Sequence, residues 1–111
     1  MRSDSERLQD ILQAIREIER YTVDGKQAFA QDTLIQSGVL YQIVIMGEAA
    51  GDISANLRER YSNIPWSQMI GMRNILAHQY FKIDLEIVWA VVEQNIPDLK
   101  AKFETILREL T

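Results

Sequence analysis

The chain holds one histidine, His78, within Arg73-Asn74-Ile75-Leu76-Ala77-His78-Gln79-Tyr80. Histidine is the side chain whose ordinary pKa lies nearest neutrality, which makes it the first candidate for proton transfer. Arg73 stands five positions before it and Tyr80 two positions after it. A guanidinium stays charged and presents a planar fork of donors that fits phosphate. An arginine and an imidazole with no metal-ligand cluster around them point to phosphodiester chemistry by general acid–base catalysis.

Such a pair needs an element to hold it. The segment from about Pro65 to about His78 reads as a helix, with Pro65 in its first turn, where a missing N–H costs nothing. Residues four apart on a helix stand one above the other, so Asn74 shares a face with His78 and is a candidate to orient the imidazole. Arg73 lies about 140° from His78 in projection, and its long side chain can still reach a common phosphate. Tyr80 would fall on the opposite side of a continuing helix. It can join the site only if the helix ends near His78, and Lys82-Ile83-Asp84 favours an ending there.

Metal-free RNA cleavage uses the ribose 2′-OH as nucleophile. It needs a base for that hydroxyl, an acid for the departing 5′-oxygen and positive charge on the phosphate. Each acid or base is worth about 10²–10⁴-fold. One imidazole does not readily serve as both in one step, so the chemistry calls for a two-fold homodimer that pairs two copies of the motif.

Other chemistries fare worse. There is no cysteine, hence no disulfide, thiolate nucleophile or Cys-based metal site. No nucleophile elbow or Gly-rich phosphate loop is visible, and no cofactor or dedicated metal site is expected. Glu48 and Asp52, four apart, could hold a divalent ion, but such pairs are more often a solvated face. A structural role for His78, and plain packing roles for Tyr80-Phe81, Trp66 and Trp89, remain open on the residues alone.

The 111 residues suit a single domain, 1–111, and the apolar and charged fractions, 47% and 25%, are ordinary for a globular protein. No apolar run is long enough to span a bilayer, and the N-terminus is polar, unlike a signal peptide. The chain reads as a complete small cytoplasmic protein. Its net charge is −4, yet between Ile53 and Ile83 four basic residues, Arg58, Arg60, Arg73 and Lys82, meet one acid, Glu59. This +3 segment contains the motif and leaves −7 for the rest of the chain. A local basic patch on an acidic body can hold one phosphate-bearing ligand while repelling bulk nucleic acid elsewhere.

Nearly everything else reads as helix. Leu8, Ile11, Leu12, Ile15 and Ile18 form one buried stripe, and Ser3 with Glu6 is a candidate capping box. Asp24-Gly25 marks a turn. A second helix is expected from about Gln27 to Gly51, apolar over more than one face, with a short helix around Ser54–Glu59 after it. Asp84 can cap a helix from about Leu85 to Asn95, and Pro97 either kinks it or starts a fifth segment. The expectation is an all-α, up-and-down bundle of four to five helices.

Arg73-x-x-x-x-His78-x-Tyr80 resembles the R-x4-H-x-Y signature of the HepT group of HEPN-domain proteins. Gly47-Glu48-Ala49-Ala50, Ile53-Ser54, Ile64-Pro65-Trp66, Gly71-Met72-Arg73-Asn74, Asp84 and Val88-Trp89 are similar to family features in family order. The resemblance spans about residues 5 to 105. It implies a HEPN bundle that dimerises with both motifs facing one cleft. It further implies a metal-independent endoribonuclease, the toxin of a toxin–antitoxin pair. Its antitoxin would be an MntA-like minimal nucleotidyltransferase that transfers AMP from ATP to the motif tyrosine, Tyr80. On this resemblance Arg73 stabilises phosphate, His78 is the acid/base and Tyr80 is the modification site. Two competing readings are a non-catalytic HEPN module that binds a nucleotide or regulates the nucleotidyltransferase, and a helical dimer whose motif merely packs.

Overall fold

A computed structural model describes residues 2–111. The first helix, α1 (Asp4–Tyr21), starts where the sequence places it. Ser3 Oγ accepts from the Glu6 N–H at 3.1 Å, and Glu6 Oε1 accepts from the Ser3 N–H at 3.1 Å. These bonds favour the ionised Glu6 carboxylate, whose pKa is lowered chiefly by the Ser3 backbone and then by its side chain. The stripe Leu8, Ile11, Leu12, Ile15 and Ile18 is buried, together with Ala14. Each large apolar side chain so buried contributes about 1.5–3 kcal/mol.

The expected second helix is two helices, α2 (Gly25–Gln31) and α3 (Thr33–Asp52). The break is chemical. Asp32 adopts an extended backbone, and its carboxylate accepts from the N–H groups of Leu34 at 2.9 Å and Ile35 at 3.3 Å. An aspartate that caps the helix after it cannot also continue the helix before it. Gly25 opens α2 at φ 89°, a left-handed backbone that glycine adopts without strain.

Helix α3 is apolar over more than one face because it packs on α1 and on a later helix, α5 (Trp66–His78). Between them lies the short α4 (Ala55–Arg60), capped by Ser54. Ser54 also ties α4 to the start of α1: its N–H donates to Asp4 Oδ1 at 3.0 Å and its hydroxyl to Asp4 Oδ2 at 2.6 Å. Pro65 sits one place earlier than expected, as the N-cap of α5. Trp66 Nε1 donates to the Tyr61 carbonyl at 3.1 Å, and its ring meets Phe103 edge-on at 5.6 Å.

After α5 comes a 3₁₀ turn, Tyr80–Lys82, and then α6 (Leu85–Ala90), capped by Asp84. Pro97 does not interrupt the last helix. A π-helical turn, Val91–Asn95, precedes it, and α7 (Ile96–Leu110) carries Pro97 in its first turn. The wider turn relieves the clash that a proline ring makes with the carbonyl four residues back. α7 lies against α1, and buried side chains from every helix form one core cluster. No strand occurs among the described residues.

Candidate active site

Arg73 projects from α5 where α3 comes closest. Gly47 makes that approach possible: a Cβ there would overlap the Arg73 Cβ and lie 2.8 Å from the Met69 carbonyl oxygen. The next residue on α3, Glu48, accepts from Arg73 Nη2 at 3.1 Å. Arg73 Nη1 donates to Asn74 Oδ1 at 3.2 Å. Its Nε is buried with no hydrogen-bond partner among the described residues. The guanidinium is therefore tethered at two nitrogens, yet its side chain is still 31% exposed and open to a ligand.

α5 ends at His78, which lies in its exposed last turn. The Gln79 N–H donates to the Ile75 carbonyl at 2.7 Å and closes that turn. Tyr80 accordingly escapes the far side of a continuing helix and begins the 3₁₀ turn. Its ring is 53% exposed and meets Phe81 edge-on at 6.1 Å. Neither the His78 imidazole nor the Tyr80 hydroxyl has a hydrogen-bond partner among the described residues. Ile75, one turn before His78 on the same face, is also exposed, and Phe81 is fully so.

Asn74 shares the His78 face by spacing, but no hydrogen bond joins the two, and its Oδ1 serves Arg73 instead. Glu48 and Asp52 are both engaged by arginines, Glu48 by Arg73 and Asp52 by Arg7 at 3.1 Å. Among the described residues no three His, Asp or Glu side chains gather as metal ligands. The residue that spacing overlooked as a neighbour of the motif is Glu48. Its signals were a glycine followed by an acid in an apolar helix and its place in the run Gly47-Glu48-Ala49-Ala50, and neither says which helix crosses there.

A concavity of about 290 Å³ lies beside Arg73, lined by Gly47, Glu48, Gly51, Asp52, Ile70 and Asn74 as well. It sets a half-exposed cation at its wall, with the exposed imidazole about 7.5 Å further along the helix axis. Residues 11–106, a span that contains this whole arrangement, match the model of the family described as ribonuclease HepT-like. The chain belongs to the HepT-like ribonuclease family. Similar proteins include one from Thermococcus cleftensis named a probable ribonuclease HepT, 37% identical over 106 residues, covering 95% of this chain and 96% of the relative. A protein of Methanocaldococcus jannaschii, named provisionally as an RNase, is 35% identical over 100 residues, covering 89% and 92%. The mRNA nuclease HepT of Shewanella oneidensis is 28% identical over 123 residues, covering 89% and 92%. No solved structure gives a significant match. The helical bundle of this HepT-like chain agrees with the fold expected of a HEPN domain.

Proposed function

We propose that this HepT-like protein is a metal-independent endoribonuclease and the toxin of a HEPN/MNT toxin–antitoxin pair. The ribose 2′-OH attacks the adjacent phosphorus as a base takes its proton. The P–O5′ bond breaks, and the 5′-oxygen leaves with a proton from an acid, giving a 2′,3′-cyclic phosphate and a 5′-hydroxyl. His78 supplies the proton-transfer group and Arg73 offsets the charge that develops on the phosphate.

Each chain has one imidazole, so acid and base come from two chains in a two-fold dimer. The observation that carries this reading is the environment of His78. Its exposed, unpartnered ring stands between exposed Ile75 and the exposed pair Tyr80 and Phe81. An apolar rim around a polar group is what a partner copy would cover. Asn74 acts on Arg73 in this reading, since its carbonyl oxygen already holds Nη1.

The antitoxin is an MntA-like nucleotidyltransferase. The Tyr80 phenolic oxygen attacks the α-phosphorus of ATP, loses its proton and releases pyrophosphate. The half-exposed, unpartnered hydroxyl on a three-residue turn beside His78 suits such a modification. The added phosphate puts negative charge where substrate phosphate must sit.

Expressed alone, the protein should arrest growth and degrade RNA, and His78→Ala should lower cleavage by about 10²–10⁴-fold. Equal cleavage by the alanine variant overturns the acid–base role. Incubation with the nucleotidyltransferase and ATP should add about 329 Da per AMP, and Tyr80→Phe should remove that shift. A protein that binds the nucleotidyltransferase yet never cleaves RNA would instead be a regulatory subunit.

A further inference from the structure

A large concavity lies outside the Arg73–His78 pair. It is a trough of about 980 Å³ between α4 and the N-terminal half of α5. Arg58 lines it from α4, partly buried, with its Nε unexposed and without a hydrogen-bond partner among the described residues. No ion pair among the described residues involves Arg58. A cation that no carboxylate neutralises, set in a groove, is free to take an anion from solution.

The trough and the smaller concavity beside Arg73 share two wall residues, Ile70 and Asn74. The trough therefore adjoins the concavity beside Arg73, with Arg58 on its α4 wall. From Asn74 back to Ser67 it covers about 10 Å of helix, a nucleotide-scale step from the candidate scissile phosphate. Its volume is that of sites that take small organic ligands. The exposed Ser67, Gln68 and Asn74 offer hydroxyl and amide groups, which can meet a ribose 2′-OH or a base edge. Among the described residues, the only acid in the trough's own wall is Glu59, and the concavity beside Arg73 adds Glu48 and Asp52, each paired with an arginine. Every residue of the trough between α4 and α5 falls within the Ile53–Ile83 segment, whose net charge is +3 in a chain of −4. Gly71 lies in the wall midway, and a Cβ there would meet nothing within 4 Å, so the channel is open at its centre.

We infer that this trough is a subsite for the RNA strand flanking the cleaved bond, with Arg58 as its phosphate contact. The inference rests on the ribonuclease reading. The strand crosses Arg73 at its scissile phosphate, passes over Asn74 and Gly71, and lays a neighbouring nucleotide between α4 and α5. Arg58 is thus a binding residue for substrate length and position, not a catalytic one.

The test compares wild type, Arg58→Ala, Arg58→Lys, Gly71→Phe and His78→Ala on a fluorescent single-stranded RNA across a salt series. Arg58→Ala should raise KM about 10-fold with kcat lowered no more than about twofold, and Arg58→Lys should recover part of the loss. The slope of log KM against log salt should fall by about 0.7, the value for one phosphate contact on a single strand. Gly71→Phe fills the channel from a position with open space, and should raise KM without lowering the melting temperature. If KM and salt slope stay at wild-type values in both Arg58→Ala and Gly71→Phe, the subsite is overturned. It is also overturned if those variants cleave normally but fail to bind the nucleotidyltransferase, since the trough then belongs to the partner. Retained cleavage by His78→Ala is a different failure, that of the catalytic reading, and is scored separately from the KM series.

Discussion

Arg73 is held before any substrate arrives, and the hold has two parts with different consequences. The Glu48 pair is half-exposed, with side chains 31% and 54% accessible, so it contributes at most about 1 kcal/mol to folding. On the proposed catalytic role of Arg73, the effect of the pair on geometry is larger, because misplacing a catalytic group by about 1 Å can cost up to about 10²-fold. Glu48→Gln should therefore leave the melting temperature nearly unchanged and lower kcat by about 10-fold or more. A rise in activity would mean that Glu48 competes with phosphate for Arg73 and does not position it. The two glycines on these facing helices should respond in opposite directions to alanine. At Gly47 the new Cβ overlaps Arg73 and crowds the Met69 carbonyl, so Gly47→Ala should cost about 1–3 kcal/mol and displace Arg73. At Gly71 the Cβ meets nothing, so Gly71→Ala should raise stability by about 0.5–1 kcal/mol through helix propensity alone. Denaturant midpoints of the two variants check both signs.

Among the elements, the helix starts were the most legible from the sequence, because a cap acts over three residues and its signal is local. Ser3 with Glu6, Ser54 and Asp84 all begin helices where their types suggest. Asp32 is the same signal, but the apolar periodicity on either side of it masked the break between α2 and α3. Asp32→Ala should cost about 1 kcal/mol, read as a melting-temperature drop of about 4–8 °C. Glu6 adds a pH dependence at the start of α1. Its folded pKa is lowered, so its contribution is present above the ordinary carboxylate range and is lost as pH falls through the folded value. The stability gap between wild type and Glu6→Ala should be present at neutral pH and close as pH falls below the ordinary carboxylate range. Pro97 was ambiguous in the sequence between a kink and a new helix. The π turn ahead of it resolves the matter by opening the hydrogen-bond ladder, which no local pattern foretells.

At the scale of the whole molecule, the exposed apolar side chains Ile75, Tyr80 and Phe81 flank His78 in the chain, and others stand at Val23, Leu34, Tyr41 and Ile87. Phe81 is fully exposed and Ile87 is 60% exposed, which a lone chain gains nothing from. Phe81→Asp should leave the fold intact, since the side chain touches no core. On the dimer proposal it should shift sedimentation to the monomer and remove RNA cleavage. A variant that stays dimeric and active would place the interface elsewhere. Among the described residues no helix is long and apolar enough to cross a membrane, and the charge asymmetry remains as the sequence shows it. Local patterning was enough for the helical class, the Arg73–His78–Tyr80 spacing and the helix end that frees Tyr80, because periodicity, caps and breakers act within a few residues. It took the packed helices to reveal that Arg73 pairs with Glu48 across 25 positions, that Asn74 turns to Arg73, and that α4 and α5 enclose a trough reaching Arg58. The Arg73–Glu48 contact depends on where α3 and α5 cross. That point is set by a residue with no side chain, Gly47, whose fit to its neighbour on α5 is not written in the spacing of either helix.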